Sequence, residues 1–175
     1  MNERGFTLAE LLVVSAVRGI IMLGIFTVQR QGLTAYLVGA GRVEVQQNAR
    51  AGLDTMLNEV RTALAITAVP AGCGTGPVPT GGGGTSISIT ESQGGTAVQY
   101  QLAGSDLQRN GVTLVGGVQT LRIWCYDATN TLTATATNVR TVHVQITTRT
   151  ESGAIATDGR NQHAVMETRV RLRNL

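Results

Sequence analysis

The sequence predicts an α+β protein in which one long N-terminal helix packs on an antiparallel β-sheet. Three observations predict it. An apolar run fills Phe6 to Val28. A stripe of apolar residues at helical spacing follows it, and the later apolar clusters alternate with period two.

The first residues, Met1 to Gly5, read MNERG and are polar. Phe6 to Val28 then reads FTLAELLVVSAVRGIIMLGIFTV. At about 1.5 Å per residue, that run is long enough to cross a hydrocarbon core of about 30 Å. An ordinary signal peptide places a small-residue cleavage site behind its apolar stretch. None is evident here, so the segment reads as retained. It carries two charges, Glu10 and Arg18. Each is costly if left unpaired at bilayer depth, and a plain anchor gains nothing from them. Glu10 stands near the start, where two readings fit: a carboxylate tolerated at the headgroups, or a charge that meets one on another chain.

The helical pattern continues over 29–66. Leu53, Met56, Leu57, Val60 and Leu64 recur at spacings of three and four, with Arg50, Asp54, Asn58, Glu59 and Arg61 largely off that stripe. Between the two apolar regions stand Gly32, Gly39 and Gly41. Each costs up to about 1 kcal/mol relative to alanine, so a weak or kinked helix is expected there.

The segment 67–175 is expected to form the β-rich head. It opens with Pro70 to Gly84, PAGCGTGPVPTGGGG, whose prolines and glycines exclude a regular element. Ile87 and Ile89 then share one strand face, as do Val98, Tyr100 and Leu102. Gln108 to Gly111, QRNG, is a hairpin turn signal leading to Val112 and Leu114. Leu121, Ile123 and Cys125 form an inward set, followed by Val142, Val144 and Ile146. The last set is Met166, Thr168, Val170 and Leu172, with Glu167, Arg169, Arg171 and Arg173 outward. One face of this sheet is expected against the helix stripe. No repeat period stands out.

Composition narrows the partners only slightly. Aromatics make up 3% of the 175 residues, so the core rests on aliphatic side chains. The net charge of +3 comes entirely from arginine, since the chain has no lysine. Its basic balance raises nucleic acid or anionic lipid as partners. The arginines are scattered except for Arg169, Arg171 and Arg173, so nucleic acid is a minor expectation. Two cysteines, Cys73 and Cys125, lie far apart. They fit one disulfide in an oxidising compartment, or two buried thiols; the export-type N-terminus favours the disulfide.

A search for chemistry finds no nucleophile elbow and no C-x-x-C. His143, between Val142 and Val144, is expected on the solvated face. Asp127 and Asn130 read as turn formers, since the spacing lacks a calcium loop. Gly81 to Gly84 reads as a linker, because it does not join a strand to a helix. Trp124 and Tyr126 share an outer strand face with Arg122. That face suits a neighbouring subunit or a second sheet layer, and less often a stacked base. No metal or cofactor is implied.

The run Gly5-Phe6-Thr7-Leu8-Ala9-Glu10-Leu11-Leu12-Val13 resembles the class III signal of type IV pilins and type II secretion pseudopilins. The resemblance implies the type IV pilin fold. It implies cleavage by prepilin peptidase after Gly5, removing leader 1–5, and N-methylation of Phe6. It also implies that Glu10 attracts the terminal ammonium of a neighbouring subunit, and that 6–28 serves as membrane and filament-core helix. Stretches like the glycine-bearing one lose helicity in family filaments, which suits extension under load. Arg18 departs from the family, where that position is apolar. It either snorkels or pairs with an acid on another subunit.

Further along, Gln46-Gln47-Asn48-Ala49-Arg50 and Leu57-Asn58-Glu59-Val60-Arg61-Thr62-Ala63 are similar to the helix of PilW-type minor pilins. Leu107-Gln108-Arg109, Val118-Gln119-Thr120-Leu121 with Tyr126-Asp127, and the ending Val170-Arg171-Leu172-Arg173-Asn174 resemble their strands. The implied protein is a minor pilin, not an enzyme. It is anchored once in the bacterial inner membrane with a periplasmic head before it enters a filament. Its implied partners are prepilin peptidase, other minor and major pilins, and the inner-membrane assembly platform. A GspJ-type minor pseudopilin is the runner-up. A third reading is a tip subunit that binds DNA or a surface through Trp124 or Arg169, Arg171 and Arg173.

Overall fold

A computed structural model describes residues 7–70, 72–76, 78–91, 95–150 and 162–174. Helix α1 spans Leu8–Thr62. Eight strands follow: β1 Ala65–Ala68, β2 Ser86–Thr90, β3 Ala97–Ala103, β4 Asp106–Arg109, β5 Val112–Val115, β6 Val118–Tyr126, β7 Thr141–Arg149 and β8 His163–Arg171. The chain separates into two compact units, Met1–Ala40 and Gly41–Leu175.

The helix runs unbroken through Gly32, Gly39 and Gly41. Three glycine penalties of about 1 kcal/mol spread over many turns leave each backbone hydrogen bond in place. It ends at Thr62 rather than at residue 66, and Ala65–Ala68 forms β1 against β2. Leu64, expected on the helical stripe, therefore lies beyond the helix and is half-buried, while its backbone N–H donates to Thr90.

In the second unit the strands form two antiparallel sheets rather than one. One has the order β1-β2-β3-β4-β5 and the other β6-β7-β8. The β4–β5 hairpin turns on Asn110 and Gly111, at φ 52° and 79°. Two consecutive positive φ values suit the type I′ geometry of an Asn-Gly pair.

Val45, Ala49, Gly52, Leu53, Met56, Leu57 and Val60 are the buried stripe of α1. It meets both sheets. A Cβ on Gly52 would lie 3.1 Å from Leu107, 3.4 Å from Val115 and 3.7 Å from Ile146. Glycine there lets the helix approach strands of each sheet at one point. Inward residues of both sheets, among them Ile87, Ile89, Leu121, Ile123, Val142 and Val144, complete a single core.

Polar bonds fix α1 on this core. The buried Thr148 hydroxyl donates to the Val45 carbonyl at 3.0 Å. Near the other end, Glu59 accepts from the Tyr100 hydroxyl and from Arg109 Nε at 3.0 Å. Arg109 also reaches Glu91 at 3.1 Å. Burial pushes the Glu59 carboxyl up, but the hydrogen bonds from Tyr100 and Arg109 outweigh it and hold it below the usual carboxylate range. Burial and the bond to Glu59 push the Tyr100 hydroxyl well above its ordinary value.

A depressed folded pKa gives a definite sign. The Glu59 contribution is fully present above its unfolded pKa of about 4.3 and is lost as pH falls through the lower folded value. Glu59→Gln should therefore cost about 1–2 kcal/mol near neutral pH, on the scale of charge-assisted hydrogen bonds. The gap to wild type in urea unfolding should close on acidification. A gap independent of pH would refute the ionised-carboxylate role.

Candidate functional site

The apolar start of α1 is the candidate site. Thr7 and Glu10 form a capping box, the threonine and glutamate lying three residues apart. Glu10 Oε2 accepts from the Thr7 backbone N–H at 2.9 Å and from its hydroxyl at 2.9 Å. The Glu10 N–H donates to Thr7 Oγ1 at 3.3 Å. Both bonds to the carboxylate fall on Oε2, and among the described residues nothing engages Oε1. An acid in the first turn also favours the positive end of the helix dipole.

From Leu8 to Val28 every residue is exposed. Leu8, Ile20 and Val28 remain 77%, 72% and 68% exposed, so the fold gives this surface no core of its own. The helix is long and apolar enough to cross a membrane. Its hydroxyls turn inward onto the backbone, which suits apolar surroundings. Ser15 donates to Leu12 at 2.9 Å, and Thr27 to Gly24 at 2.7 Å. Just past the run, the Arg30 guanidinium sits 5.6 Å from the Phe26 ring centre. Arg18 is exposed, and among the described residues none pairs with it. Gly5 and Phe6, the expected processing site, lie outside the described residues.

The second unit holds the expected cysteine pair as a disulfide. Cys73 and Cys125 are bonded, with Cα atoms 5.2 Å apart, and both are fully buried. The bond holds the glycine-rich loop onto β6, and the Cys125 N–H donates to the Cys73 carbonyl at 2.8 Å. Gly84 and Ile123 exchange two backbone bonds of 2.8 Å in the same strip.

That attachment corrects two expectations. Trp124 is not an outer contact patch: it is 0% exposed beneath the loop, and its indole N–H donates to Gly81 at 3.3 Å. Gly83 passes so close that a Cβ there would lie 3.0 Å from the Trp124 ring. His143 is not a solvated strand histidine. It pairs with Trp124 across the strands, ring centres 5.2 Å apart, and Glu167 lies 3.8 Å from its Nε2. Burial pushes its pKa down, with opposing smaller effects from Glu167 and Arg169.

Tyr126 is likewise taken, with the Arg169 guanidinium 3.9 Å from its ring centre. Arg169 also donates to Asn130 Oδ1 at 2.8 Å. The loop carboxylate of Asp127 accepts backbone bonds from Thr129 and Thr131, both at 2.9 Å, so it builds a turn. The C-terminal run instead closes the helix end, where Arg173 N–H donates to the Arg61 carbonyl and the Asn174 amide to Thr62. Of the residues proposed for nucleic acid, Trp124 is buried and Arg169 is engaged. Arg171 and Arg173 remain exposed. Sequence reasoning missed the Glu59–Tyr100–Arg109 cluster, because its members come from three separate elements with no local spacing to join them.

The prokaryotic N-terminal methylation motif matches residues 1–26. No curated protein and no solved structure matches the chain. The motif marks a substrate of prepilin peptidase, and with the apolar helix it fits a membrane-anchored, single-pass protein. A long N-terminal helix on antiparallel sheets is consistent with the type IV pilin fold. The class supported is therefore a type IV pilin-like subunit, pilin or pseudopilin, that assembles with others of its kind.

Proposed function

We propose that the protein is a minor pilin that joins other minor and major pilins to prime or cap a type IV pilus. Prepilin peptidase cuts after Gly5, and Phe6 becomes the methylated N-terminus. The chain then resides in the inner membrane with residues 6–28 as its span and 67–175 as a periplasmic head, until the assembly platform extracts it. The observation that carries this reading is an apolar helix surface, Leu8 to Val28, that none of the described residues buries and that opens on Glu10. Such a surface needs a bilayer first and neighbouring helices afterwards.

Glu10 supplies the register. Its Oε1 accepts the terminal ammonium of a neighbour while Oε2 stays on Thr7. Opposite charges that are each costly in low dielectric become far less so when paired. A minor rather than a major subunit is favoured by the similarity of the α1 and strand segments to PilW-type proteins. The apolar members of that helix segment, Ala49, Leu57 and Val60, lie in the core. A GspJ-type pseudopilin uses the same surfaces in a secretion system, and neighbouring genes distinguish the two.

Glu10→Ala should abolish piliation, or secretion, with normal protein levels and normal cleavage at Gly5. Surface filaments counted by electron microscopy beside an immunoblot provide the check. Unchanged filaments would reduce the chain to an unassembled anchored domain.

A further inference from the structure

We propose that Arg18 selects the partner of this helix: it fits a different subunit whose membrane helix carries an aspartate or glutamate near mid-span. This inference rests on the reading of Leu8 to Val28 as a segment that lies first in a bilayer and then among helices.

Depth is the first argument. Arg18 lies about 15 Å along the axis from Leu8 and about 15 Å from Val28, close to the middle of a core about 30 Å thick. An arginine stem covers only part of that distance toward either interface. Arg30, by contrast, stands past the apolar run, against the Phe26 ring.

Surroundings are the second. On a helix, the residues that share a face with Arg18 stand three, four and seven positions away. They are Leu11, Val14, Ser15, Ile21, Met22 and Ile25, all exposed. None offers a charge, and the Ser15 hydroxyl is already donated to Leu12. Beside Arg18, a Cβ added to Gly19 would meet nothing within 4 Å, so a second helix can come close there.

Self-pairing is the third. The other charge of the segment, Glu10, lies eight residues away, about 12 Å along the axis. Its Oε1 is the atom that the reading above gives to a neighbour's terminal ammonium, while Oε2 stays on Thr7. Two copies in register would set Arg18 against Arg18. Arg18 therefore disfavours in-register homopolymers and fits a foreign carboxylate, which makes the subunit a heterotypic joint.

The test uses the full chain, donor-labelled, in phosphatidylcholine vesicles with acceptor-labelled polyleucine transmembrane peptides. One peptide carries a single central Glu and the other only Leu. Energy transfer should appear at about tenfold lower peptide density with the Glu peptide, the scale of an interhelical polar contact in lipid. Arg18→Leu should erase that preference and Arg18→Lys should keep it. Equal transfer to both peptides, or a preference that survives Arg18→Leu, would overturn the proposal. So would strong transfer between copies of the chain that disappears in both Glu10→Gln and Arg18→Leu, because the partner would then be a second copy. The measurement is independent of filament formation. Intact piliation in Glu10→Ala would sink the assembly reading and leave the peptide preference standing.

Discussion

Replacing Cys73 by alanine should destabilise the second unit by roughly 4 kcal/mol, the loop-entropy value for a closed loop of this size. The bond spans a sequence separation of 52 residues. Removing it frees the loop from Cys73 to Cys125 in the unfolded chain, and the glycines of that loop multiply the accessible states. It also leaves the buried Cys125 side chain opposite a gap. Urea unfolding of the wild type under reducing and non-reducing conditions, beside Cys73→Ala and Cys125→Ala, checks this. The two single variants should match each other and the reduced wild type. A cost below about 1 kcal/mol would mean that the remaining bonds of the loop suffice, against the chain-entropy account.

Trp124→Ala should cost about 3–5 kcal/mol, the range for truncating a fully buried large aromatic. Trp124 is the floor on which the glycine-rich loop rests, with Gly81 bonded to its indole and Gly83 against its ring. Truncation leaves a void that the loop can fill only by giving up its bonds to β6. Trp124→Phe should recover most of the packing and lose only the hydrogen bond, about 1 kcal/mol. The combination Trp124→Ala with Cys73→Ala should cost less than the sum of the two, since both act through one loop. Full additivity in denaturant titrations would show that the loop and the indole are energetically separate.

The strands illustrate what local pattern carries. Ile87 with Ile89, Leu121 with Ile123, and Val142 with Val144 read as inward pairs and are inward, because alternation is a property of the extended backbone itself. The Asn110-Gly111 turn was equally legible, since positive φ at two positions favours few residues. Alternation says nothing about which strands share a sheet. The division into β1–β5 and β6–β8, and the strand Ala65–Ala68 in place of a last helical turn, depend on pairings between distant segments.

Trp124 marks the limit most clearly. Alternation places it correctly on the face opposite Leu121 and Ile123, and the usual inference from there is exposure. A segment some forty residues earlier covers that face. A run of glycines and prolines gave the impression of a linker, yet its small residues are what allow close approach to an aromatic ring. His143 follows the same logic, since it is shielded by Trp124 and its pKa moves down with that shielding.

By itself the sequence determined the N-terminal device. The motif over residues 1–26, the apolar run and the position of Glu10 within it depend on neighbours close in the sequence, and local spacing sets them. It also marked Arg18 as the charge that the class does not explain. Only the tertiary structure decided that α1 meets two sheets at Gly52, that Glu59 is clamped by Tyr100 and Arg109, and that Trp124 lies under a disulfide-held loop. Those contacts join residues tens of positions apart. Their formation follows from the burial of many side chains at once, which no single window of sequence contains.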